Sequence, residues 1–103
     1  MMGYYDKHGR PISAERYGEL RWDDTGKVSN YARVGLDTVD GVEVSTVWLG
    51  LDHSFNSRLP IIFESMIFGG EHDGDINRYS SEGAALIGHR CAVNNLRRGR
   101  APW

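Results

Sequence analysis

The chain has 103 residues, 40% of them apolar and 25% charged, with a net charge of −2. That length suits one domain and buries about two-thirds of the unfolded surface without metal or disulfide staples. The charge balance sets aside general nucleic-acid binding, which depends on a cationic surface. A single cysteine, Cys91, excludes an internal disulfide and a four-cysteine zinc site, and fits a reducing, cytosolic setting. The first ten residues contain no apolar leader segment, and no run approaches the roughly 20 apolar residues that cross a bilayer. A cytoplasmic protein with no membrane partner is therefore expected.

Residues 3–12 read as a short strand or extended arm with a turn at His8-Gly9-Arg10-Pro11. Ser13 is a helix N-cap, with Glu15 complementing the dipole, and the helix should span Ala14–Trp22 with Tyr17 and Leu20 inward. Gly18 weakens that helix by about 1 kcal/mol relative to alanine, so it should be short. After the turn Asp23-Asp24-Thr25-Gly26 comes a strand centred on Tyr31–Leu36, where Gly35 marks a bulge. Asp40-Gly41 is a two-residue hairpin turn of the type I′ preference.

Val42–Leu51 places Val42, Val44, Thr46 and Trp48 on one face, with Val47, Leu49 and Leu51 on the other. Its second half therefore reads as buried on both faces. A polar loop, Asp52–Pro60, leads into Ile61–Phe68, where Ile61, Phe63, Ser65 and Ile67 alternate with Ile62, Glu64, Met66 and Phe68. Glycines follow, then a short strand Ile76–Tyr79. Ser80 or Ser81 caps a helix over Glu82–Arg98, whose stripe of Ala85, His89, Ala92, Val93 and Leu96 faces inward. The tail, residues 99–103, is expected to fray. The order β-α-β-β-β-β-α defines a single α+β domain over residues 1–103. It should be an antiparallel sheet of four to five strands with two helices on one face.

Four elements carry a resemblance: Ser45–Phe55, Pro60–Gly70, Arg78–Glu82 and Gly88-His89. Together they are similar to a group of small bacteriophage and actinobacterial proteins with the pattern WLGLDHxF, PxIFExMxFGG, RYxTE and GH. No activity is assigned to that group. The chain departs from it at Ser81, where threonine is usual, and in lacking a glycine-rich run before Pro60. The resemblance implies a phage or prophage accessory protein in the host cytoplasm. Such a protein is expected to bind a host macromolecule, inhibiting a host pathway or defence system.

Asp52, His53, Glu64 and His89 are the residue types of a divalent-metal or acid–base site. No HExxH-type spacing fixes them as ligands. The competing reading is a structural polar network in which Asp52 caps the loop, Glu64 pairs with Arg78 or Arg33, and His89 bonds a backbone carbonyl. No residue is assigned a catalytic role, no cofactor is expected, and Cys91 reads as a buried or half-buried inert thiol. The interaction candidates are His53, Phe55, Arg58, Trp48, Arg78 and Tyr79, where aromatic and arginine side chains form a hot spot for a host protein. A signalling nucleotide held by Trp48, Tyr79 and arginines at an oligomer interface is the alternative, and a metal-dependent hydrolase the third reading.

Overall fold

The structure is a computed structural model that describes residues 3–54 and 59–103. Its main body is a four-stranded antiparallel meander: β3 (Arg33–Val39), β4 (Val42–Trp48), β5 (Phe63–Phe68) and β6 (Ile76–Tyr79), side by side in chain order. The N-terminal arm forms its own small hairpin, β1 (Tyr4–Tyr5) with β2 (Pro11–Ile12), bridged to Leu51 through Tyr4. Helix α1 spans Ala14–Arg21 and α2 spans Glu82–Arg97. Ser13 and Ser81 cap them, their side chains accepting from the Arg16 and Ala84 amides as expected of N-cap serines.

At the β3–β4 turn Asp40 and Gly41 both adopt positive φ, 49° and 82°, as the tight hairpin requires. The bulge falls between Arg33 and Gly35. Arg33 pairs with Val47 and Gly35 with Thr46, so the extra residue switches the parity of the strand. Arg33 therefore lies with Val47 on one face, while Gly35 shares the opposite face with Thr46.

Both helices lie on the face to which Trp48 points. α2 crosses all four strands of the sheet. α1 packs at one end, where Tyr17 sits 5.7 Å from the Trp48 ring and 4.5 Å from the Tyr4 ring, centroid to centroid. Two apolar clusters result. One gathers Ala32, Trp48, Ile62, Phe63 and Ala85; the other gathers Val39, Val44, Ile67, Ala92 and Val93. Truncating a buried residue as large as Trp48 costs about 3–5 kcal/mol, so these clusters carry the domain.

Two expectations change. Val47, Leu49 and Leu51 are half-buried, because no helix covers their face of the sheet. The C-terminal residues are docked rather than frayed. Gly99 and Arg100 amides bond Leu96 and Asn95 carbonyls, Asn95 Nδ2 donates to the Pro102 carbonyl at 2.9 Å, and Pro102 is fully buried.

Candidate functional site

Between the two apolar clusters lies a buried polar row. Gly35, Thr46 and Ser65 are paired across β3, β4 and β5, and α2 lays His89 over them. His89 Nδ1 is 2.7 Å from Thr46 Oγ1, and Thr46 Oγ1 is 2.6 Å from Ser65 Oγ. Tyr79 OH donates to Ser65 Oγ at 3.1 Å, and His89 Nε2 is 2.6 Å from Asp37 Oδ2. The five side chains form one continuous relay from β6, through the core, to the rim of β3.

Counting donors and acceptors orders its protons. Asp37 as a carboxylate only accepts, so Nε2–H donates to it. Tyr79 donates to Ser65, Ser65 to Thr46, and Thr46 to the bare Nδ1. The uncharged Nε2–H imidazole thus satisfies every donor in the row. A proton on Nδ1 would reverse the two hydroxyls and leave the Ser65 hydrogen without an acceptor, which is costly in a buried network.

Two glycines make the room. A Cβ on Gly35 would lie 2.8 Å from the His89 ring, and a Cβ on Gly88 would lie 2.5 Å from Tyr79 ring carbons. The Gly88-His89 pair therefore has a packing role: the glycine admits Tyr79 and the histidine spans the row.

An acid, an imidazole and a hydroxyl in series share the connectivity of an orienting group, a base and a nucleophile. Here, though, Thr46 and Ser65 are wholly buried, and Thr46 Oγ1 already bonds both neighbours. No substrate carbonyl reaches that oxygen, so the row serves as an internal clasp. Its outer end opens at Asp37 onto a groove of about 300 Å³ that Arg90, Asn94 and Arg97 also line.

The four residues of the candidate metal or acid–base cluster do not converge. Asp52 accepts from the Ser54 and Ile61 amides at 2.8 and 2.9 Å, closing the loop as a cap. Partial burial raises its pKa, but hydrogen bonds from Ile61 and Ser54, with His53 nearby, outweigh that and hold it below the usual 3.8. His53 donates its amide to the Ile61 carbonyl. Glu64 takes the Arg78 Nε at 3.0 Å on the uncovered face, opposite to His89. Among the described residues no group of three histidine, cysteine, aspartate or glutamate side chains is placed to hold a metal ion. His89, expected to bond a backbone carbonyl, bonds two side chains instead.

The interaction candidates also divide. Trp48 is fully buried, its Nε1 donating to the Tyr5 carbonyl at 3.0 Å, and Tyr79 points into the polar row. Trp48 therefore cannot stack a nucleobase, and half-buried Tyr79 has its hydroxyl engaged in the row, so the nucleotide pocket loses its Trp48 wall. Arg78 lies on the uncovered sheet face beside Glu64. Phe55 and Arg58 lie outside the described residues. Cys91, expected to be at least half-buried, is exposed on the outer side of α2.

That uncovered face is the second candidate. Across it run Leu36, Ser45, Met66 and Ile76 in one row, flanked by Phe68 and Glu43 on one side and by Arg33, Val47, Glu64 and Arg78 on the other. Leu36, Phe68 and Ile76 are 51%, 46% and 39% exposed. Asp37, Thr46 and Ser65 escaped the sequence reading, yet a signal existed. Thr46 and Ser65 are the polar residues at inward positions of their strands, and His89 is the polar residue of the inward helical stripe. Comparison with protein-family models, with curated proteins and with solved structures finds no match for this chain.

Proposed function

We propose that the protein acts by binding rather than by catalysis, presenting the uncovered face of its sheet to a protein partner. The observation that carries this reading is the apolar patch of half-buried Met66 with exposed Phe68 and Ile76, and exposed Leu36 across Ser45 from it, on the face that α2 leaves uncovered. Strand spacing and rise give that face a span of roughly 15 by 20 Å. Monomeric proteins rarely leave contiguous apolar patches of more than a few hundred Å² uncovered, and those that do mark interaction sites. The likeness of its motifs to phage-encoded accessory proteins makes a host protein the partner class, and inhibition of a host pathway or defence system the outcome.

Site-specific photo-crosslinking in cells tests this directly. A crosslinking residue at Leu36 or Ile76 should give a discrete adduct, while one at the exposed Ala84 of α2 should not. Identical adducts from both faces, or none from the sheet face, would remove the proposal.

A further inference from the structure

The uncovered face is not evenly charged, and the imbalance describes what it receives. Over its central strands β4 and β5 a groove of about 220 Å³ runs between Val47, Leu49, Met66 and Phe68, with Arg21 and Arg33 along it. Glu64, which also lines it, is already held by Arg78 at 3.0 Å. Arg33 donates to the neutral Ser45 hydroxyl at 2.8 Å and meets no carboxylate among the described residues. Arg21 packs its guanidinium over the Trp22 ring at 4.6 Å, and its buried Nη1 has no hydrogen-bond acceptor among the described residues. Two guanidiniums thus border the groove with no ion pair of their own among the described residues, and Glu64, the carboxylate that lines it, is engaged by Arg78, on a protein whose net charge is −2.

Buried donors are almost always satisfied, so one left open beside a groove is informative. Arginine prefers planar, bidentate acceptors, and arginine and tryptophan are among the residue types enriched at binding hot spots. The groove is smaller than the roughly 300–1,000 Å³ of small-molecule pockets and suits one or two side chains. Resting on the binding reading above, the geometry points to an acidic, apolar peptide segment of the partner as the occupant. An aliphatic or aromatic side chain seats on Met66 and Phe68, and a neighbouring Asp or Glu carboxylate is taken by Arg33 and Arg21.

The test is a displayed random dodecamer library panned against the full chain, with the best peptide then measured by fluorescence anisotropy. Enriched peptides should place Asp or Glu within a few residues of Leu, Ile, Phe or Trp, and binding should weaken as salt rises. The double substitution R21Q/R33Q should weaken binding at least tenfold, and F68E should abolish it. R90Q/R97Q on α2 should leave it unchanged, and circular dichroism melts check that each variant folds. If F68E abolishes binding but R21Q/R33Q does not, or the peptides lack acidic residues, the docking face stands and the carboxylate assignment falls. If neither variant matters, if R90Q/R97Q abolishes binding, or if no peptide enriches, both fall. Sedimentation of the chain as a dimer that F68E dissociates would assign the face to a second copy and overturn the peptide.

Discussion

Replacing Gly88 by alanine tests the packing of the polar row against a competing local effect. In a helix interior, alanine is favoured over glycine by about 1 kcal/mol, so the substitution should stabilise α2 on propensity alone. The new methyl, however, lands 2.5 Å from the Cε1 and Cζ of Tyr79, and both are ring atoms with little freedom to move. Overpacking of this kind costs about 1–3 kcal/mol, and displacing the ring also breaks the Tyr79–Ser65 hydrogen bond, worth about 1 kcal/mol. The steric side wins, and G88A should destabilise by about 1–3 kcal/mol. Since 1 kcal/mol shifts Tm by roughly 4–8 °C in a domain near this size, a calorimetric scan resolves it easily. Gly18 in α1 has no atom within 4 Å of its virtual Cβ, so G18A should raise Tm by a few degrees. A Tyr79→Ala background completes the cycle, because there G88A loses its obstacle and should become neutral or stabilising. Should G88A cost the same in both backgrounds, the clash with Tyr79 is not its origin and the account of the Gly88-His89 pair is wrong.

Three further expectations follow from particular contacts. Thr46→Val removes the link between His89 and Ser65 while keeping the volume, and should cost about 2–5 kcal/mol by leaving two buried groups unpaired. Thr46→Ser should cost about 1 kcal/mol, and urea unfolding that ranks the two variants the other way refutes the relay. The carboxylate of Asp52 has a lowered folded pKa, so its stabilisation is complete at neutral pH and is lost as pH falls below 3.8 through the lower folded value. The urea midpoint of D52N should trail the parent at pH 7 and converge with it in acid; a constant gap would contradict the capping role. Removing residues 100–103 exposes the Pro102 site and frees Asn95, and should lower stability by about 1–3 kcal/mol, whereas a frayed tail would leave the melting curve unmoved.

What the sequence alone determined is what depends on near neighbours. Ser13, and one of Ser80 and Ser81, were legible as caps because a hydroxyl next to a first turn finds orphan amides, wherever the helix later packs; the second cap is Ser81. Asp40-Gly41 turns because few residue pairs accept two successive positive φ angles. Period-two alternation put Val44, Thr46 and Trp48 on one face, and the 3.6-residue stripe put His89 inward, so the α+β meander was legible. Asp52 as a loop cap and Glu64 with Arg78 were likewise among the readings drawn from local spacing, and the structure places them so.

Tertiary structure decided how those faces meet. A buried histidine bonds whatever polar atom the opposing strands present, and that was set by register: one extra residue near Val34 brings Gly35 beneath His89 and leaves Asp37 at its Nε2. The same pairing sends Glu64 to the opposite side from His89, so residue types that suit a metal site never assemble. Trp48 and Tyr79, aromatic and thus open to either role on paper, went inward because their strand parity faces the helices. Which sheet face stays in solvent was invisible in the alternation itself. Both faces of β4 and β5 carry apolar residues, and a single long helix can cover only one.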